Sequence, residues 1–317
     1  MPHCSRLKWR HINGFNFILI VRHLDRLNDI RFLSLSKDRL IHITMNVKIM
    51  KKLSIIIASA ALMMFSVGCD KIDINNTHKP YTPTGGNKTV LVKDFTGARC
   101  VNCPAAAEYA HELQHRLGED RIFILSVHAG YLAQPMGQFP DFMTEEGTLW
   151  YGDNSSNPLF SVDHVALTDG NTLYVEQIDT PVANALSEVQ TFDILINTNY
   201  EEASRRLNVE NSFNPTGDGN GQYYATVCLV EDSIVGWQTV PGGVDKEYVF
   251  RNVFRGTLNG ADGELVYNGP FYVGDASTKT CSIELDSTYN ADQCYVLTYI
   301  YDKADGKIMQ TAMARIK

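Results

Sequence analysis

Between Lys88 and Gly118 the chain reads KTVLVKDFTGARCVNCPAAAEYAHELQHRLG. Thr89, Val90, Leu91 and Val92 open a β-rich run over Lys88–Phe95, the pattern of a buried strand. Thr96-Gly97-Ala98-Arg99 then turns the chain. From Ala105 to Leu117, the residues Ala106, Ala110, Leu113 and Leu117 fall on one helical stripe, and Gly118 suits the helix stop. Ile122 to Val127 is a second apolar strand. Strand, helix and strand in this order predict two parallel strands joined by a right-handed crossover.

The turn carries the sharpest chemistry, Cys100-Val101-Asn102-Cys103. Pro104 fits the first helical turn, where its missing N–H costs nothing. Cys100 therefore sits just ahead of a helix N-terminus, whose partial positive charge favours a thiolate. Arg99 adds a second positive charge. These features make Cys100 a candidate nucleophile and Cys103 its resolving thiol. A static disulfide pinning helix to strand is the competing reading. A zinc site is disfavoured, because Cys228, Cys281 and Cys294 lack the spacing of a second ligand pair. Cys281 and Cys294 bracket adjacent predicted strands and could form a second bridge, with Cys228 left over.

This strand–CxxC–helix arrangement resembles the thioredoxin fold. That resemblance implies a cis proline opposite the cysteines, and Asn157-Pro158, ahead of the apolar run Leu159–Leu167, fits the place. No tryptophan precedes Cys100, and Val101-Asn102 stands where thioredoxin itself has Gly-Pro.

Upstream, Met50-Lys51-Lys52 heads a short apolar run, Leu53–Phe65, followed by Ser66-Val67-Gly68-Cys69. A charged start, a short apolar core and small residues before the cut form a secretory signal over 50–68. The run is shorter than the roughly 20 residues a spanning helix needs. The cysteine at the cut resembles a lipobox, which implies acylation of Cys69, palmitate included. Residues 1–49 then read as an over-extended start. Export implies an oxidising compartment, consistent with a disulfide. Residues 69–87 are polar with Pro and Gly and read as a flexible tether.

Residues 1–68 hold 11 of the 28 basic and 3 of the 36 acidic residues, so the mature chain carries 17 against 33, a net charge of −16. Such a chain repels nucleic acid and anionic head groups. Its expected hold on the membrane is the lipid on Cys69. No cofactor and no metal are expected.

Beyond the second strand, residues 130–157 are irregular, with a helix predicted near Asp141–Tyr151 and further strands at Leu159–Leu167 and Thr172–Val175. A helix at Pro181–Val189 closes a first domain, 88–189. Residues 190–317 carry short strands between turn signals, among them Phe192–Asn197, Tyr223–Val230, Tyr248–Leu258, Thr280–Leu285, Cys294–Tyr301 and Lys307–Arg315. They predict an all-β, immunoglobulin-like sandwich. The expected fold is thus an α/β thioredoxin-like domain followed by that sandwich.

Three other signals carry less. His111-Glu112-Leu113-Gln114-His115 matches H-E-x-x-H, but both histidines project about 150° from the apolar stripe, toward solvent. Arg121 stands where a third zinc ligand would fall. His128 ends the second strand near the cysteines, where it reads as a hydrogen-bonded strand end or a tuner of Cys100. Thr216–Gly221 reads as a polar hairpin turn.

Taken along the whole mature chain, the signal with Cys69, the string from Asp94 to Pro104, and Tyr248-Val249-Phe250-Arg251-Asn252-Val253-Phe254-Arg255 resemble the outer-membrane-protein-28-related lipoproteins of the Bacteroidetes. The resemblance implies an outer-membrane location, facing periplasm or cell surface. Two functions are compatible with it. One is an envelope interaction or adhesion lipoprotein with a protein partner. The other is a thiol–disulfide oxidoreductase using Cys100 and Cys103, with Pro158 completing the site.

Overall fold

The computed structural model describes residues 10–12, 15–19, 31–36, 39–44 and 88–317. The signal at 50–68, Cys69 and the tether at 69–87 lie outside the described residues. The chain divides into two compact units, Met1–Lys79 and Pro80–Lys317. In the first, β1 (Arg10–Ile12), β2 (Phe15–Leu19), β3 (Arg31–Ser36) and β4 (Arg39–Thr44) pair antiparallel in chain order.

The second unit is built on one large mixed sheet. Its first strands are β5 (Val90–Thr96), β6 (Ile122–His128) and β7 (Leu159–Val162). β5 and β6 run parallel, with Val90 opposite Ile122 and Thr96 opposite His128, and the crossover helix α1 (Cys103–Leu117) joins them. β7 pairs antiparallel to β5. Two short helices, α2 (Glu145–Tyr151) and α3 (Asp179–Ser187), follow. A long hairpin comes next, β8 (Phe192–Glu201) with β9 (Arg206–Pro215). Then come β10 (Gly219–Glu231), β11 (Ile234–Val240), β12 (Gly243–Phe250), β13 (Val253–Thr257), β14 (Glu264–Phe271), β15 (Ser277–Glu284), β16 (Cys294–Asp302) and β17 (Ile308–Arg315).

The large sheet has the order β17-β16-β10-β13-β6-β5-β7, with β14 also on β10. β15-β9-β8 form a separate three-stranded sheet, and β11-β12 a two-stranded one. Side chains alternate across the strands and so feed cores on both faces. Val227, Leu229 and Val296 face the small sheet's Leu207 and Val209. Cys228, Val230, Leu297 and Tyr299 point the other way, into a core shared with Leu91, Phe95, Leu125, Trp150 and Leu159. On β5 and β6 the even-numbered residues Val90, Val92, Ile122 and Ile124 pack beneath Ala106, Ala110 and Leu113 of α1.

This arrangement corrects the expected fold class. Among the described residues, no separate α/β thioredoxin-like domain followed by an immunoglobulin-like sandwich forms. The described residues are β-rich, with α-helices of only 15, 7 and 9 residues. The strand–helix–strand unit is continuous with the later strands. β6 meets β13 in parallel at Ser126 and Val253, and the Ser126 N–H donates to Asn252 O at 2.9 Å. The cause is burial on both sides. β6 carries apolar residues toward both faces, and β13 satisfies the edge that an isolated unit would leave open.

Buried charges fasten the start of β5. Lys88 Nζ lies 2.5 Å from Asp163 Oδ2, and the other oxygen, Oδ1, accepts the Leu91 N–H at 2.8 Å. Glu188 adds contacts to Lys88 at 3.5 Å and Lys307 at 2.8 Å. On the opposite face from α1, Lys93 Nζ donates to Val165 O at 2.7 Å and lies 3.8 Å from the centre of the Trp150 ring. Burial lowers its pKa to about 7. No helix among the described residues is long and apolar enough to cross a membrane.

Several local expectations shift. Thr172–Val175 is not a strand: Leu173 makes an isolated bridge to Phe160 and a 3-10 turn begins at Val175. The run Tyr248–Leu258 breaks at Asn252, whose φ of 51° turns the chain between β12 and β13. Residues 216–218 connect β9 to β10 in another sheet, not the two arms of a hairpin. Cys228, Cys281 and Cys294 are free thiols.

Candidate functional site

Cys100 and Cys103 form a disulfide, with Cα atoms 5.4 Å apart. The turn before it is fixed locally: the Cys100 N–H donates to Gly97 O at 3.0 Å. Cys103 begins α1 and Pro104 occupies its first turn, as the sequence predicts. Asn102 caps the helix without a side-chain hydrogen bond. Both cysteines are buried, Cys100 at 1% and Cys103 at 2% exposure.

The hairpin β11–β12 accounts for part of that burial. The Thr239 N–H donates to Ala98 O at 2.9 Å, and Gln238 Nε2 donates to Cys100 O at 2.9 Å. The Arg99 side chain is held by the loop that follows β6. Its Nε donates to Gln134 O at 3.0 Å, its Nη2 to Tyr131 O, and its guanidinium stacks 4.8 Å from the Tyr131 ring centre. It ties the turn to the following loop.

A cavity of about 250 Å³ lies beside the pair, lined by Cys103 and Pro104 of α1, Asp94 and Thr96 of β5, Ser126 and His128 of β6, and Gln238 and Tyr248 of the hairpin. Glu108, His111 and Arg251 also border it. Strand alternation explains its floor. On the α1 face, β5 reads Val90, Val92, Asp94, Thr96 and β6 reads Ile122, Ile124, Ser126, His128. The register sets Asp94 against Ser126 and Thr96 against His128. The apolar halves pack under α1, and the polar halves floor the cavity.

Two floor residues lack partners. Asp94 Oδ1 and both ring nitrogens of His128 are buried without a hydrogen bond. Burial pushes the Asp94 carboxyl up to about 8. Burial, aided by the Arg255 charge, holds the His128 imidazole down at about 3. At neutral pH the floor therefore presents a largely protonated acid and a neutral imidazole. His128 also packs edge-on against Phe142 and Phe250, with centroids 4.9 and 5.6 Å away.

The sequence-predicted residues divide. Cys100 and Cys103 come together. Pro158 follows a cis peptide bond ahead of β7 but is not among the cavity's lining residues. Asn157 Nδ2 donates instead to Phe95 O at 3.0 Å and Ala129 O at 3.3 Å. Of the H-E-x-x-H pair, His115 is exposed beside Glu119, while His111 borders the cavity. No cluster of three metal-ligating side chains occurs among the described residues. The sequence reading passed over Asp94. Its signal was an acidic residue, next to Lys93, inside a strand that reads as buried, six positions before Cys100.

Fold and site together define a β-rich protein with a disulfide set against a polar, partly unsatisfied cavity. Residues 162–317 match the family described as Outer membrane protein Omp28. That match supports an outer-membrane location for the chain. It begins beyond the string 94–104 on which part of the sequence resemblance rested. No curated protein matches the sequence. Among solved structures, HBP35 of Porphyromonas gingivalis is similar with a TM-score of 0.56 and 13% identity, over 72% of this chain and 75% of that one. At that identity the likeness concerns the fold alone. A domain of the outer membrane lipoprotein Omp28 from Porphyromonas gingivalis matches with a TM-score of 0.30 and 16% identity, over 40% of this chain and 88% of that one.

Proposed function

We propose that this chain is an outer-membrane lipoprotein, held by acyl groups on Cys69, whose chemistry is thiol–disulfide exchange at Cys100–Cys103. The observation that carries the redox reading is Asp94. An unpaired buried carboxyl costs stability, on the order of a few kcal/mol. A disulfide kept only as a brace has no use for one. A redox pair does, because each exchange moves a proton as well as a bond. An acid whose pKa has been pushed to about 8 can give or take that proton near neutral pH.

The test is equilibration in thiol–disulfide buffers, with the state of the pair read by alkylation. An exchanging pair should have a reduction potential above about −300 mV, and a static one should lie below it. The anchor is tested separately by mass spectrometry of the mature N-terminus, where Cys69 should carry acyl chains.

A second reading makes the chain an envelope interaction or adhesion protein with a static disulfide. It is favoured by the burial of both cysteines beneath the β11–β12 hairpin. A potential below that threshold would select it.

A further inference from the structure

The two ends of the disulfide face different surroundings. On the Cys100 side the backbone is closed by the hairpin, through the bonds from Thr239 to Ala98 and from Gln238 to Cys100. Cys100 does not line the cavity, and Cys103 does. The cavity, about 250 Å³, has room for a small molecule and opens to the surface beside the exposed Glu108 and Arg251. Its floor offers the unpartnered Asp94 and His128. Its border carries exposed residues of both signs, Glu108 and Arg251.

We infer that the disulfide exchanges with a low-molecular-weight thiol of the amino-acid class, entering this cavity and attacking Cys103. The inference rests on the redox reading above and names its substrate. A zwitterion matches the border, with its carboxylate toward Arg251 and its ammonium toward Glu108. A cysteine inside a polypeptide has neither a free α-ammonium nor a free α-carboxylate to meet these two charges.

The chemistry balances with two thiols. The first, as its thiolate, attacks Cys103 Sγ. The Cys100–Cys103 bond breaks, a mixed disulfide forms on Cys103, and Cys100 leaves as a thiolate that takes up the proton the first thiol lost on ionising. The second thiolate attacks the small-molecule sulfur of the mixed disulfide. It releases the small symmetrical disulfide and frees Cys103 as a thiolate, which takes the Asp94 proton across the cavity the two share. Two electrons and two protons pass from the small thiols to the pair, and Asp94 regains its proton from them.

The test uses full-length protein isolated from membranes. The disulfide is exposed to L-cysteine, to uncharged 2-mercaptoethanol and to a reduced CxxC protein at equal thiolate concentrations. Cysteine should react at least about tenfold faster than the protein dithiol. In Cys100→Ser, cystine should form an adduct on Cys103, and in Cys103→Ser the Cys100 adduct should form about tenfold more slowly. Arg251→Gln should slow cysteine severalfold and leave 2-mercaptoethanol unchanged. Ala107→Phe, which fills the cavity from α1, should slow both small thiols while the protein keeps its circular dichroism. Preferential adducts on Cys100, or a protein dithiol reacting as fast as cysteine, would overturn the inference and leave the redox reading standing. Resistance of the unsubstituted protein to all three reductants would overturn both.

Discussion

Asp94 and His128 sit on neighbouring strands, one face of one sheet, and their burial gives stability opposite pH dependences. The Asp94 carboxyl is raised from 3.8 to about 8. Across that window the folded chain keeps a proton that the unfolded chain has lost, so this contribution to stability falls as pH rises. Asp94→Asn should therefore be roughly 2–5 kcal/mol more stable than the parent at pH 8 and nearly equal to it at pH 4. Urea unfolding at the two pH values measures this, and equal effects at both would contradict it. His128 is lowered from 6.5 to about 3. Here the unfolded chain gains a proton that the folded chain refuses, so stability is lost as pH falls through that window. His128→Phe, among the rings of Phe142 and Phe250, should raise the melting temperature at pH 4 more than at pH 7. Sequence alone could flag both residues as polar groups in apolar strands. It could not show that they lack partners, because a missing hydrogen bond depends on every neighbour.

Among the elements, the turn before Cys100 and the hairpin above it control the site. A Cβ on Gly97 would fall 2.6 Å from the Leu132 carbonyl carbon and oxygen and 2.7 Å from Ala133 N. Those atoms are backbone and cannot swing aside. Gly97→Ala should cost about 1–3 kcal/mol, measurable as a lowered melting temperature. Gln238→Ala removes the donor to Cys100 O, at about 1–3 kcal/mol. It should also speed reduction of the disulfide by a protein dithiol; unchanged kinetics would mean that the hairpin does not gate the pair. The helix was legible from its apolar stripe, although it begins at Cys103 and not at Ala105. The hairpin was half hidden. Ile234–Val240 passed unread as a strand, and Tyr248–Leu258 read as one strand because a periodic pattern does not register a single left-handed residue at Asn252.

At the scale of the molecule, the Lys88–Asp163 pair joins the start of β5 to the end of its neighbour β7. Asp163 O also accepts the Ile308 N–H at 2.7 Å, drawing in β17. Asp163→Ala leaves Lys88 buried without its close partner and the Leu91 N–H without its acceptor. The expected loss is about 3–5 kcal/mol. Strands on both sides of residue 190 share one sheet and one core. The Pro80–Lys317 unit should therefore unfold in a single transition, with fluorescence of Trp150 in the shared core tracking far-ultraviolet circular dichroism. Two separated transitions would show that residues before and after 190 fold independently.

Local pattern by itself determined the strand–helix–strand unit, the placing of Cys103 and Pro104 at a helix start, and most of the later strands. Each rests on the spacing of apolar residues along a few turns or a few pleats. Tertiary structure alone decided that β6 finds β13, that the hairpin lies across Ala98 and Cys100, and that Asp94 and His128 face a cavity. A strand's apolar face specifies that something must cover it, not which distant segment will. That choice is made by the sum of all the packing and hydrogen-bond partners the folded chain brings together.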